Sequence, residues 1–244
     1  MYNYIKRIAR TIIPKSFLFK NELFFRQFYA LFYIGTRHQC NICGKKLRSF
    51  VGGVYGGELC PSCGSLPKSR RLWDLLKDAN IKGEVLHFSP SRCLYRKFKK
   101  MKHLNYISSV YDGDFLGDEK FDITGIAVGD DKFDFIICYH VLEHIIDDQK
   151  AISELYRVLK PEGRIFIQTP FKDGEIYEDS NITSSEMRKK HFGQEDHVRV
   201  YSVNGLVDRL EAEKFKVTVL NFEACNEDFR LGFESPENVL IVKK

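Results

Sequence analysis

Four of the seven cysteines form two CxxC pairs, Cys40/Cys43 in "CNICG" and Cys60/Cys63 in "CPSCG", with sixteen residues between the pairs. Each pair brings two thiolates to one side of a tight turn, and the glycine after it permits that turn. Two such knuckles complete a tetrahedral S4 site, which suits Zn²⁺. With sulfur at all four positions the site is closed, so the expected role is structural. Redox chemistry at one CxxC is the alternative. Cys93, Cys138 and Cys225 lack partners at ligand spacing and are expected to be small buried apolar residues. Lys45, Lys46, Arg48, Lys68, Arg70 and Arg71 surround the module, as a solvated basic rim or as a nucleic-acid contact. A second group of polar residues is "HVLEH", in which His140 and His144 straddle Glu143. An HxxEH run can signal metal, but the sequence identifies no third ligand. Further on, "FGQEDHVR" offers Asp196 and His197 as an acid–imidazole pair. Neutral imidazole is the side chain best matched to take a proton near pH 7. His144, Asp196 and His197 are therefore the candidate catalytic groups. His191 and Arg199 are candidates for substrate contact; the structural alternative is that Asp196, His197 and Arg199 only pin the loop onto the body.

The elements that must position these groups follow from the pattern. At 244 residues and 43% hydrophobic, the chain can bury one core and a small satellite. Residues 1–71 hold thirteen Lys/Arg against two Glu, a net +11, leaving −6 on residues 72–244 for the total of +5. A basic front is joined to an acidic body, and such a front suits something anionic. Within it, residues 1–36 are aromatic and basic. Ile5, Ile8, Ile12 and Ile13 fall at helical spacing until Pro14, and a second apolar helix is expected from about Phe17 to Tyr33. These helices either pack on the body or lie at a membrane surface. Charges interrupt the apolar run there, so no membrane span is expected. No secretory cleavage site is evident, and paired cysteines suit a reducing compartment. The expected location is cytoplasmic, with a peripheral membrane contact through residues 1–36 as the alternative to packing on the body.

After the cysteine module at residues 37–68, strands and helices alternate. Helices are expected near 70–79 and 92–101, with strands at 84–88 and 104–108 and a short strand around Phe121–Ile123. The strand "FDFIIC" precedes the helix "DDQKAISELYRVLK" and the strand "GRIFIQTP". After a long connection, Phe171 to Arg199, come the helix "VNGLVDRLEAE" and the strands "KVTVLNF" and "NVLIVK", with only a loop between the last two. Such alternation argues for a mostly parallel sheet covered on both faces.

The span from Phe133 to Pro170, "FDFIICYHVLEHIIDDQKAISELYRVLKPEGRIFIQTP", resembles class I methyltransferases dependent on S-adenosyl-L-methionine (SAM). The resemblance extends over roughly residues 70–244. With the knuckles and "FGQEDHVRVY" it is similar to a bacterial subgroup bearing a zinc ribbon. It implies an α/β, Rossmann-like fold with a seven-stranded, mostly parallel sheet, as a domain at 69–244. A zinc ribbon at 37–68 and a helical segment at 1–36 precede that domain. In the general family the first turn carries glycines; here "EVLHFSPSRCL" has none. The resemblance implies that His87, Phe88, Ser89 and Ser91 take that place, with Ser89 or Ser91 capping the next helix. It implies Asp112 for the ribose hydroxyls, Asp122 for the adenine amino group and Ile123 against the ring. The backbone of Cys138, Tyr139 and His140 would line the methyl-donor side. The implied activity is methyl transfer from SAM to an oxygen or nitrogen of a small-molecule or glycan-type acceptor. The alternatives are an RNA- or protein-modifying methyltransferase docking through the basic front, and a non-catalytic scaffold on the SAM fold. The long connection carries mixed charge, which disfavours a nucleic-acid clamp.

Overall fold

Apolar runs such as Phe135–Tyr139 and Ile165–Ile167 have no polar face and so must be covered on both sides. The computed structural model describes residue 17 and residues 21–52, 58–111 and 117–244. The expected first helix, with Ile5, Ile8, Ile12 and Ile13, lies outside the described residues, as does Asp112. The described chain forms α1 (Glu22–Leu31) and the short strands β1 (Ile34–Gln39), β2 (Lys46–Leu47), β3 (Val51–Gly52) and β4 (Glu58–Leu59). It continues as α2 (Pro67–Asp78), β5 (Gly83–Phe88), α3 (Arg92–Phe98), β6 (Leu104–Ser109), β7 (Phe133–Tyr139), α4 (Asp148–Val158) and β8 (Leu159–Gln168). Then follow β9 (Tyr177–Glu178), α5 (Ser185–Phe192), β10 (Arg199–Val200), α6 (Val203–Ala212), β11 (Lys216–Phe222), α7 (Asn226–Leu231) and β12 (Glu237–Lys243).

The residues divide into two compact units. One contains the described residues up to Asn80 together with Ser91–Lys97 and Glu223–Pro236. The other contains Ile81–Pro90, Phe98–Phe222 and Glu237–Lys244. The expected linear cut at 68/69 therefore differs from the observed division, because α2 and the β11–β12 connection supply polar partners to the cysteine module.

In the second unit six strands form one sheet, in the order β11-β12-β8-β7-β5-β6. The β5/β6, β5/β7 and β7/β8 pairs are parallel, and β12 runs antiparallel to both β8 and β11. One face packs Leu86, Ile136, Ile165 and Leu240 against Ala151, Leu155 and Val158 of α4 and Leu206 and Leu210 of α6. Leu155 is fully buried, and each such side chain contributes about 1.5–3 kcal/mol by leaving water.

Two expectations about the sheet need correction. The seventh strand, expected around Phe121–Ile123, is only an isolated bridge between Asp122 and Gly125. Asp122 Oδ1 accepts from the Thr124 backbone N–H and hydroxyl, both at 2.8 Å, and this side-chain turn replaces a ladder. The second concerns the β11–β12 connection. It is not a bare loop, since it contains α7, which ends on Gly232 in the left-handed region (φ 65). Antiparallel pairing holds from Lys216↔Lys243 to Phe222↔Glu237. The long connection is also ordered: Ser184 caps α5, and β9 pairs with β10.

Candidate functional site

In the first unit the two knuckles share one local plan. Cys40 N–H donates to Lys45 O at 3.0 Å and Gly44 N–H to Cys40 O at 2.8 Å. Cys60 N–H donates to Ser65 O and Gly64 N–H to Cys60 O, both at 2.9 Å. Gly44 (φ 76) and Gly64 (φ 78) occupy the left-handed region that the turn requires. The four Sγ atoms all lie within 4.8 Å of one another. Cys40 and Cys63 stand 3.6 Å apart, Cys43 and Cys60 3.8 Å. A tetrahedron with 2.3 Å arms has edges of about 3.8 Å, so the thiols fit Zn²⁺.

Arg70, expected on a solvated rim, is fully buried beneath the knuckles. Its guanidinium donates to Ser65 O at 2.7 Å, Glu58 O at 3.0 Å and Gly232 O, and lies 4.0 Å over the Phe50 ring. Arg71 is also buried and pairs with Asp228 at 3.0 Å. A buried cation needs compensation, and four thiolates around a divalent ion would supply it to Arg70. Lys45, Lys46 and Arg48 are the rim residues that stay exposed. Cys93 and Cys138 are buried as expected, whereas Cys225, the residue before α7, is exposed. Ser91 does not cap α3 with its side chain. Its hydroxyl meets Ser69 Oγ at 3.0 Å and Cys93 Sγ at 3.3 Å.

In the second unit the strand order reverses between β5 and β7, since β6 lies on the far side of β5. Open α/β sheets place ligands at this switch point, beyond the carboxyl ends of the strands. Both strands end there on a non-glycine residue in the left-handed region: Ser89 after β5 (φ 46) and His140 after β7 (φ 54). That placement costs an L-residue about 1–2 kcal/mol. Ser89 N–H donates to Ser109 O and His140 N–H to Gln168 O, both at 2.8 Å, and these bonds fix the two turns. The chain thus makes without glycine the kind of turn that glycine usually provides.

The other residues expected at the cofactor are distributed as follows. His87 points into the protein rather than the crevice. It is buried against Phe98 and Tyr106, with the Tyr106 hydroxyl 3.2 Å from Nδ1, and burial pushes its pKa down to about 3. Phe88, Ile123 and Cys138 belong to the core cluster, and burial raises the Cys138 thiol. Tyr139 is buried at the end of β7. Asp122 is exposed, and the Thr124 N–H in its turn holds its carboxyl below the ordinary range.

The "HVLEH" and "FGQEDHVR" segments meet. After β7 the chain makes a 3₁₀ turn, Leu142–His144, and Val198 N–H donates to Glu143 O at 2.9 Å. His197 is thereby brought edge-on to His144, with ring centroids 4.7 Å apart. Asp196 pairs with His144 Nδ1 at 3.2 Å. It does not pair with His197, as the sequence suggested; adjacent side chains diverge here. His197 is 3% exposed, its Nδ1 lies 3.1 Å from Phe192 O, and its Nε2 is buried with no hydrogen-bond partner. Burial holds His197 below its ordinary pKa although Glu143 opposes this. Glu143 is 1% exposed; its Oε1 faces His140, while its Oε2 has no hydrogen-bond partner among the described residues. Burial would raise its pKa, but His140, whose Nδ1 stands 3.2 Å away, outweighs burial and the net direction is down.

The sequence did not anticipate how this meeting is held. Arg199 is buried and spends its guanidinium on Ile146 O (2.9 Å), Ile145 O and Glu178 (2.7 Å). Asp148 accepts from Tyr201 and pairs with Arg209, which also reaches Glu178 at 2.5 Å. These bonds tie the long connection to the turn, so Arg199 acts as a pin. His191 Nδ1 lies 2.6 Å from the Tyr177 hydroxyl, on the same connection.

A family model described as a methyltransferase domain matches residues 90–220. The chain is 32% identical over 98 residues to an uncharacterized methyltransferase of Schizosaccharomyces pombe, covering 38% of this chain and 31% of that protein. It is 23% identical over 113 residues to a ubiquinone biosynthesis O-methyltransferase of Vibrio atlanticus, covering 45% and 48%. With a tRNA U34 carboxymethyltransferase of Campylobacter hominis it shares 30% over 92 residues, covering 38% and 30%. The chain thus spans less than half the length of each of these relatives. Among solved structures, a SAM-dependent methyltransferase from Archaeoglobus fulgidus aligns over 72% of this chain and 93% of its own, with a TM-score of 0.53 at 17% identity. A Haemonchus contortus phosphoethanolamine N-methyltransferase in complex with SAM aligns over 71% and 52%, with a TM-score of 0.52 at 16% identity. Reversed strand order, left-handed turns at the switch point and the matched span converge: the chain belongs to the class I SAM-dependent methyltransferases.

Proposed function

We propose that the chain transfers a methyl group from SAM to an oxygen or nitrogen of a small-molecule or glycan-type acceptor, with a structural Zn²⁺ on Cys40, Cys43, Cys60 and Cys63. The observation that carries the reading is the pair of left-handed residues, Ser89 and His140, at the carboxyl ends of β5 and β7. Backbone strain of this kind gathers at functional sites. When bound, SAM supplies a methyl group on a good leaving group. Phe88, Ser89 and the backbone of Tyr139 and His140 border that ligand, with Asp122 for the adenine amino group, Ile123 against its ring and Asp112 for the ribose. The acceptor lies at the cluster of Glu143, His144, Asp196 and His197, which handles its proton. The mixed charge of the long connection supports a small acceptor over a polymer.

Titration calorimetry tests the reading. SAM and its demethylated product should both bind, and Asp122→Ala should weaken binding by about 1–3 kcal/mol through a lost hydrogen bond. His144→Ala and His197→Ala should keep SAM affinity within a few-fold while turnover falls by about 10²–10⁴. Absence of heat for either ligand at hundreds of micromolar favours the scaffold reading. Transfer of label from SAM to RNA or protein in an extract favours a polymer acceptor.

A further inference from the structure

We infer that Glu143, His144 and His197 form a second metal site, for a divalent transition-metal cation, distinct from the four-cysteine centre. Each can offer one ligand atom such that all three lie within 4.8 Å of one another. "HVLEH" supplies two of the ligands; the third comes from fifty-three residues further along, through the Val198–Glu143 backbone bond. Two of the three leave a buried polar atom without a hydrogen bond: Oε2 of Glu143 and Nε2 of His197. Burying such groups unpaired is costly, and a cation between them would satisfy both.

The surroundings fit ligation. Metal-binding imidazoles direct their second nitrogen to a carboxylate or a backbone carbonyl, which fixes tautomer and ring orientation. His144 Nδ1 faces Asp196 at 3.2 Å and His197 Nδ1 faces Phe192 O at 3.1 Å, so Nε2 of each remains for the metal. Ligands of one such ion lie about 3–3.5 Å apart, so the donors need to close by no more than about 1.8 Å. His144 is only half-buried and can turn to do so. Two imidazoles and one carboxylate are a borderline donor set. It suits Zn²⁺, Co²⁺ or Fe²⁺ rather than Ca²⁺ or Mg²⁺, and three protein ligands leave a position open. That position would take the acceptor's hydroxyl or amine and lower its pKa, the proton leaving to water and the electron pair staying on the nucleophile. The role rests on the proposed acceptor site; the binding itself does not.

The test is equilibrium dialysis of the full zinc-loaded chain against Co²⁺, with metal analysis. The wild type should take up one cobalt per chain while retaining its zinc. Glu143→Gln, His144→Gln and His197→Gln should each weaken cobalt uptake at least tenfold, and His103→Ala should leave it unchanged. Retained zinc and SAM binding report that each variant is folded. His144→Gln, at the least buried ligand, serves if the other two fail to fold. No cobalt beyond exchange at the cysteines, or uptake unchanged in folded variants, overturns the inference. If SAM fails to bind while cobalt still binds at one equivalent, the acceptor role fails and the metal site stands.

Discussion

At the scale of single residues, the informative positions are those where the backbone is forced. Ser89 sits at φ 46 where glycine would be unstrained. Ser89→Gly relieves about 1–2 kcal/mol of left-handed strain and gives back about 0.5–1 kcal/mol in chain entropy. Denaturant unfolding should therefore show a gain of up to about 1.5 kcal/mol, with SAM affinity retained. Ser89→Val should instead lose more than about 1 kcal/mol. A serine in "FSPS" carries no sign of left-handed geometry, so this turn was not legible in the sequence; only the missing glycines were. The four-cysteine cluster was legible because spacing alone fixes two knuckles. Asp196 was correctly linked to an imidazole but to the wrong one. Which neighbour a side chain faces depends on a turn that residue order does not specify. For Arg199 the sequence leaves a substrate contact or a pin open, and the carbonyls of Leu142, Ile145 and Ile146 around the 3₁₀ turn could not be foreseen as its partners.

At the scale of elements, apolar periodicity placed the strands well because burial on both faces leaves continuous runs. It failed at Phe121–Ile123, where one aspartate side chain outcompetes a strand edge. Leu155 of α4 lies between sheet and helix, and Leu155→Ala should cost about 2–5 kcal/mol in unfolding measurements. Helix α1 is tethered by Glu22, which pairs with Arg26 at 2.9 Å, Arg96 at 2.8 Å and Arg92 at 3.5 Å. Burial alone would raise the Glu22 pKa, but Arg26 and Arg96 outweigh it and the net shift is downward. The stability this provides is full above the ordinary glutamate value of about 4.3. It is lost as pH falls through the lower folded-state value. Thermal melts should show wild type above Glu22→Gln at pH 7, with the gap closing on acidification below about pH 4. For the knuckles, Cys40→Ser should remove zinc and melt the module without altering cobalt uptake at Glu143, since a closed sulfur site is a folding element.

At the scale of the whole molecule, charge and apolar surface coincide in the basic front. Residues 1–36 carry a net +5, and Phe24, Phe28, Leu31 and Phe32 are exposed along and just beyond α1. None of the described helices is long and apolar enough to cross a membrane. Aromatics beside cations suit an interfacial contact. Sedimentation with anionic liposomes should capture more of the full chain than of a chain lacking 1–36, and added salt should reduce the difference. Equal capture would return this segment to a packing role.

The division into units bears on how the chain is made. Ribosomal synthesis releases the amino-terminal part first, so all four knuckle cysteines emerge long before residues 223–236. Yet those late residues complete the cysteine unit: Phe229 O lies 2.9 Å from His38 Nδ1, Asp228 pairs with Arg71, and Gly232 O receives Arg70. The nascent thiols would therefore be able to hold the proposed Zn²⁺ while Arg70 and Arg71 still lack their last partners, and only the later emergence of residues 223–236 closes the unit. A fragment of residues 1–80 should accordingly hold zinc more weakly than the full chain, and a separate peptide spanning 223–236 should restore part of that affinity.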